Sequence, residues 1–350
     1  MPCTARIAIF LLMIVLRSAQ SHAEGIRLAK NLKFKGDFET GLGYVDNSFG
    51  QRGIDFQVST SEYVLALRAE LIFALELSER LSTVVSLEGD GKEPGVRIRK
   101  GWVDYRLVGQ TRLLAGNLKR DFGFEDASSR HNLRTVNRSL LYEYFDSFNA
   151  VGYDASARYR TRWLRQAGPN HVVFFNVSGN GSQQVFFNGS WTIDWTRTRV
   201  LASELFGIDV NSENFGIFGA GFETARQPWY VESELYSGKD PNLTAVLKRM
   251  GERKSAKFVA VRALGAFLVS LPFTAVTGIE PVLSGVYIMP NVADAGLTQA
   301  QGAAGFNILF DQARAVIWKN DADVVYANDP SERTLHARRF SAQTRICVSW

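Results

Sequence analysis

The sequence predicts an all-β protein: a transmembrane antiparallel β-barrel of about 16 strands. Three observations predict it. Apolar and polar residues alternate with a period of two from end to end, the signature of two-faced strands. Beyond the N-terminal leader no run of about eighteen apolar residues occurs, which excludes a helical membrane protein. Charges recur on one face of strand after strand, which a water-filled barrel accepts and the core of a soluble sandwich does not.

The chain opens with MPCTARIAIFLLMIVLRSAQSHAEG: Arg6, an apolar run from Ile7 to Leu16, then small residues ending Ser21-His22-Ala23. This is the pattern of a secretory signal peptide, with cleavage expected before Glu24. Residues 1–23 are thus a leader and 24–350 the barrel domain. Cleavage removes Arg6, Arg17 and no acid, so the formal charge of +5 falls by two. The remaining basicity is scattered rather than gathered in dense Lys/Arg runs, which argues against nucleic acid as a partner. Cys3 leaves with the leader and Cys347 remains alone, so no intramolecular disulfide forms.

In KNLKFKGDFETGLGY, Leu32, Phe34, Phe38, Leu42 and Tyr44 share one face, and Lys33, Lys35, Asp37 and Glu39 the other. From Tyr63 to Leu77 every odd residue is apolar, while Arg68, Glu70 and Glu76 lie on the even face. LALRAELIFALELSERL also reads as an amphipathic helix. The adjoining residues decide for a hairpin: Ser78-Glu79-Arg80 makes a turn, and Leu81, Thr83, Val85 and Leu87 resume the period before Gly89-Asp90-Gly91. The pattern recurs over Arg97–Leu107, Thr111–Lys119, Val151–Arg160, His171–Val177, Trp191–Leu201, Phe215–Thr224, Trp229–Tyr236, Lys257–Val269, Ile279–Ile288, Gly305–Asp311 and Ala313–Lys319. Asn180-Gly181, Asp240-Pro241 and Asp329-Pro330 read as turns. About sixteen strands leave roughly twenty residues for each strand with its loop, which suits membrane-crossing spans.

The chain ends RFSAQTRICVSW. Phe340, Ala342, Thr344, Ile346, Val348 and Trp350 face lipid, and Arg339 and Arg345 face water. The opposite register puts an arginine in hydrocarbon at about 2–4 kcal/mol. Trp350 is then an interfacial anchor.

Asp121 to Asn149 is the longest unpatterned stretch. It carries Arg130, His131, Arg134 and Arg138, preceded by Arg120 and opposed by Asp121, Glu125, Asp126, Glu143 and Asp146. A short helix aligns Arg130, Arg134 and Arg138 on one face, bordering a constriction that attracts anions; the alternative is a solvated loop of balanced charge. Alternation sends Lys33, Lys35, Arg68, Arg158, Arg160, Arg262, Arg339 and Arg345 inward with nearly as many acids, among them Glu70, Glu232, Glu234 and Glu280.

WVDYRLVGQTRLLAGNLKRDFGFEDASSRHNLRTVNRSLLYEYFDSFNAVGYD, Trp102 to Asp154, resembles the phosphate-selective porin family (porin O/P type), and FNILFDQARAVIWKND with RRFSAQTRICVSW resembles its closing strands. Together these cover about a third of the chain. The resemblance implies a trimeric outer-membrane porin of a Gram-negative bacterium whose third loop folds inward. Gly116, Lys119 and Glu125 fall on the family's Gly-x-x-Lys and acidic positions, and Arg138, Ser139 and Leu140 on its loop motif, which makes Lys119 the pore-lining cation. Asp121 stands where the family often has proline, Ala150 where an arginine often occurs, and Trp350 for the usual Phe. The missing arginine near Gly152 weakens phosphate selectivity.

The expected function is therefore passive diffusion of small hydrophilic solutes, with anions such as phosphate favoured. The pore-lining set is Lys119, Glu125, Arg130, Arg134, Arg138, Arg158 and Arg160, the partners are outer-membrane lipid, the solutes and two further copies of the chain, and no cofactor is implied. His131, His171 and His336 have no metal-ligand spacing, and GDGK at Gly89–Lys92 lacks the first glycine of a phosphate loop. Two other readings stay open: an occluded barrel serving as an adhesin or assembly partner, and a barrel-borne hydrolase using His171.

Overall fold

The computed structural model describes residues 26–350 apart from 30, 52–53, 91–92, 130, 164–168, 181–183, 209–213, 253, 274, 295–296, 312 and 329–334. The expected leader, 1–23, lies outside the described residues. Sixteen long strands follow one another: β1 (Leu32–Gln51), β2 (Ile54–Glu76), β3 (Leu81–Asp90), β4 (Glu93–Arg106), β5 (Arg112–Lys119), β6 (Tyr153–Trp163), β7 (Asn170–Asn180), β8 (Gln184–Trp195), β9 (Thr198–Ile208), β10 (Asn214–Arg226), β11 (Trp229–Lys239), β12 (Lys257–Phe267), β13 (Gly278–Met289), β14 (Gln299–Leu309), β15 (Val316–Asn328) and β16 (Leu335–Ser349). Short pieces at Ile26–Ala29 and Val269–Ser270 extend the sheet beside β1 and β13. Among the described residues three helices interrupt the pattern: α1 (Gly123–Ala127), α2 (Leu140–Asp146) and α3 (Pro241–Arg249).

Each strand pairs antiparallel with the next, and β16 returns to pair with β1 from Leu335↔Gln51 to Ser349↔Asp37. The sheet therefore closes on itself. Connections after odd-numbered strands emerge at one end, here the loop end; those after even-numbered strands, with Trp350, lie at the turn end.

Alternation sorts the side chains as the sequence predicts. Leu42, Leu65, Trp229 and Leu283 are exposed on the outer face, Tyr63 at 88%. Glu39, Arg68, Glu70, Glu88, Arg262 and Glu280 are buried on the inner face. An apolar exterior around a charged interior inverts a soluble fold and suits a barrel crossing a bilayer. No described helix is long and apolar enough to cross one.

Two expectations are corrected. Trp191–Leu201 is not one strand, because a two-residue turn at Thr196-Arg197 divides it between β8 and β9. Asp240-Pro241 starts a helix: Asp240 accepts from Leu243 N at 2.8 Å, and Pro241, which lacks an N–H, takes the first helical position.

The terminal strand ends on a lock. Gly36 and Trp350 exchange backbone hydrogen bonds of 3.0 Å each way, and Trp350 packs with Phe38, Ile346 and Val348. A Cβ on Gly36 would stand 2.2 Å from the indole ring, so only glycine lets the ring lie over the first strand. Gly36→Val is expected to cost about 1–3 kcal/mol by overpacking and to lower the temperature at which the folded, gel-fast form converts to the unfolded one in detergent. A band shift at the wild-type temperature would remove the lock.

Candidate functional site

The connection from β5 to β6, Arg120 to Gly152, packs against inner-face residues of the wall from β8 round to β16. Phe122, Leu141, Phe145 and Phe148 are buried with Phe186 of β8, Phe215 and Ile217 of β10, Tyr236 of β11 and Phe258 of β12. Rings meet edge-on, Phe145 with Tyr236 at 5.0 Å and Phe148 with Phe215 at 5.7 Å between centroids, an arrangement that adds to simple burial. Gly123 sits at φ +84°, where a Cβ would lie 2.0 Å from the Tyr236 hydroxyl oxygen. Tyr144 donates to Asp240 Oδ2 at 2.5 Å, tying α2 to the cap of α3.

Polar contacts complete the attachment. Arg262, 2% exposed, meets Glu232, Glu234 at 3.1 Å and Glu125 at 3.4 Å, and Phe124 N donates to Glu234 Oε1 at 2.6 Å. Toward β13–β16, Arg134 pairs with Glu280 while its guanidinium stacks 3.7 Å from the Tyr230 ring centre. Lys319 donates to the carbonyls of His131 at 2.9 Å and Leu133 at 2.6 Å, and Asp321 accepts from Val136 N at 2.6 Å. Arg339 grips Glu143 bidentately at 3.1 and 3.2 Å.

These bonds explain a departure from expectation. Residues 131–139 form no helix, because their backbone groups bond to the wall rather than to one another. Arg134 and Arg138 therefore do not share a helical face, and Arg130 lies outside the described residues. Lys119 pairs with Asp126 at 3.2 Å and is mostly shielded. Glu125 is buried under Ser139, whose N–H donates to it at 2.6 Å. Arg138 donates to the carbonyls of Glu125 and of Ser128, the latter at 2.8 Å. Arg158 pairs with Asp121 at 2.5 Å and also bonds the Lys119 carbonyl. Arg160 is exposed on the same inner face as Arg158.

Register supplies residues that alternation alone missed. Arg106 of β4 lies opposite Arg112 of β5, which lies opposite Arg160 of β6, with Arg162 two residues on. This arginine row lines one side of the turn-end mouth, and Asp104 answers Arg112 at 2.7 Å. Nearer the loop end, a cavity of about 450 Å³ lies between the inward segment and β1, β2 and β16, bounded by Asn47, Glu62, Tyr142, Arg339 and Arg345.

His131 is neutral in this arrangement. Its Nε2 donates to the Arg314 carbonyl at 2.6 Å, leaving Nδ1 unprotonated, and burial beside Lys319 pushes the imidazole down to about 4. His171 lies outside the lumen, accepting at Nδ1 from the Trp191 indole at 3.2 Å and stacking on that ring. Among the described residues no group of three His, Cys, Asp or Glu is placed to hold a metal ion.

The sequence matches no protein-family model and no curated protein. Its fold is similar to solved structures. The anion-selective porin from Comamonas acidovorans is 12% identical over 91% of this chain and 99% of that one, with TM-score 0.61. Outer-membrane expressed OmpT of Vibrio cholerae is 10% identical over 93% and 100%, with TM-score 0.57. The outer membrane channel DcaP of Acinetobacter baumannii is 12% identical over 93% and 99%, with TM-score 0.55. At these identities the likeness establishes the closed sixteen-stranded barrel.

Phe145→Ala is expected to cost the inward segment about 3–5 kcal/mol of packing, seen as protease cleavage between residues 120 and 152 while the barrel stays folded. Resistance equal to wild type would show that the polar bonds suffice. Because His131 titrates near 4 in place against about 6.5 when free, protonation favours the released form. Attachment should be strongest above pH 6.5 and weaken as pH falls toward 4; His131→Asn should flatten that dependence in the same assay.

Proposed function

We propose that this chain is an outer-membrane channel through which small hydrophilic solutes diffuse passively, with the segment from Arg120 to Gly152 setting its aperture. One observation carries the reading: a closed barrel with an apolar exterior holds a charged interior, crossed by a segment that is rooted between β5 and β6 and bonded to the wall from β8 to β16, with a charged space left beside it. The fold shared with solved porins and channels supports it.

The charges divide into two groups. Lys119, Arg134, Arg138 and Arg158 are engaged with carboxylates or carbonyls and hold the segment in place. Arg160, with Arg106, Arg112 and Arg162, faces the turn-end mouth, where a dense cationic field raises the local anion concentration. We assign the anion preference to this row. Guanidinium groups bind phosphate and carboxylate alike, so oxyanions in general are the preferred class and phosphate is one member. The work is steric and electrostatic. Side-by-side assembly of three copies through the outer faces completes the proposal, and the mass of the detergent complex tests it.

The aromatic packing of Phe122, Phe145 and Phe148 favours a second reading, an occluded barrel acting as an assembly partner. Single-channel recording separates the two: stable conductance supports the channel, and a silent, correctly folded barrel supports the plug. In a chloride gradient the reversal potential should report anion preference. Arg160→Glu with Arg162→Glu should lower the chloride-to-potassium permeability ratio roughly twofold or more. An unchanged ratio would remove selectivity from the arginine row, and current insensitive to added phosphate would exclude tight phosphate binding.

A further inference from the structure

We infer that the outer wall of the barrel around Glu204 of β9 binds hydrophobic ammonium ions, cations whose apolar substituents let them enter a bilayer. Alternation places Glu204 on the outer face. Its chain neighbours Ser203 and Leu205 are buried on the inner face, whereas Phe206 and Ile208 are exposed on the outer one. Val200, also exposed, continues that face toward the turn end. The carboxylate therefore stands in an otherwise apolar column, and among the described residues no hydrogen bond or ion pair engages it.

Its height makes the charge unusual. Thr198, at the start of β9, pairs with Trp195 beside the turn. From Thr198 to Glu204 the strand rises about 3.3 Å per residue, and at a tilt near 45° this lifts Glu204 about 14 Å from that turn, roughly the middle of an apolar band of about 25 Å. An ionisable group at such a depth is costly unless it is paired, and it marks a place where something outside the wall supplies the partner.

The surroundings suit a small cation. Directly opposite Glu204 stand Gly189 of β8 and Phe218 of β10. The carboxylate lies over the bare backbone of Gly189, where a Cβ would stand 3.1 Å from Glu204 Oε1 and 3.2 Å from the Phe175 ring. Phe175, Trp191, Phe218 and Ala202 help to enclose a cavity of about 340 Å³ around it. Phe175 stacks on Phe187 with centroids 6.4 Å apart, and Phe218 meets Phe206 edge-on at 5.4 Å, which fixes two of the aromatic walls. Aromatic faces attract an ammonium ion, most strongly away from water, and Glu204 supplies the countercharge. The cavity falls within the small-molecule range of roughly 300–1,000 Å³. A neutral apolar guest would leave the carboxylate unpaired, an anion would be repelled, and a small inorganic cation would forfeit its water at this depth.

The site lies outside the lumen, so it stands whether or not the barrel conducts. The full barrel in neutral detergent micelles is dialysed to equilibrium against radiolabelled tetrabutylammonium, with empty micelles as the blank, and conductance is recorded from the same preparations. Wild type should bind the cation saturably. Glu204→Gln should weaken binding about tenfold, and Phe218→Leu, which keeps apolar bulk but removes a ring face, about threefold. Glu204→Asp should retain most of the affinity, and 5,5-dibutylnonane, the uncharged carbon analogue, should not compete. Equal affinity in wild type and Glu204→Gln would overturn the site, as would competition by the uncharged analogue at matching concentration. Wild-type oligomers that exclude tetrabutylammonium and dissociate in Glu204→Gln would also overturn it, giving the carboxylate to a second copy of the chain. Glu204-dependent binding by a barrel that conducts nothing would support the site and sink the channel reading alone.

Discussion

Everything in this structure depends on the pairing of the last strand with the first. In hydrocarbon an unpaired backbone N–H or C=O costs several kcal/mol, so a sheet spanning a membrane can have no edge. The register from Leu335↔Gln51 to Ser349↔Asp37 removes that edge and decides which side of every strand meets lipid. A slip of one residue would turn Arg339 and Arg345 outward and bury Trp350 in the lumen. Closure and sidedness are one constraint, and the Gly36–Trp350 lock stands where the two ends of the chain meet.

Once sidedness is set, the interior has to accommodate its own charge. Arg68 sits among Glu39, Glu70 and Glu88, and Arg262 among Glu125, Glu232 and Glu234. A charge removed from bulk water is tolerable when paired and hydrogen-bonded, and each arginine is paired with three carboxylates and hydrogen-bonded to at least two of them. Much of the lumen's charge thus serves construction. On the proposed reading, selectivity belongs to the arginine row at the turn end, at a different height from the attached segment.

Alternation made the strands legible, and its failures have physical causes. Trp191 to Leu201 reads as one strand because Trp195-Thr196-Arg197-Thr198 keeps β-forming residues through the turn, with no glycine, proline or asparagine to mark it. Asp-Pro serves a turn and a helix start equally well, and only Leu243 N on the Asp240 carboxylate distinguishes them. The charges from Asp121 to Asn149 were visible, but their partners were not. Arg134 meets Glu280 across a sequence separation of 146 residues, and nothing local in either segment announces the other. The row from Arg106 through Arg112 to Arg160 needed the register of three strands, which periodicity does not supply.

The inward segment bears on the mechanics of the barrel as a shell. A ring of sixteen strands one residue thick ovalises easily under uneven lateral pressure, because bending a sheet costs far less than stretching it. A strut rooted between β5 and β6, packed along β8–β12 and bonded through salt bridges and hydrogen bonds to β13–β16, roughly half the ring from its root, ties facing walls together. Flattening along that diameter must break Arg134–Glu280 or pull Phe145 from its pocket. The cross-section is thereby held against changes in lateral pressure, and on the channel reading proposed above the bore is held with it.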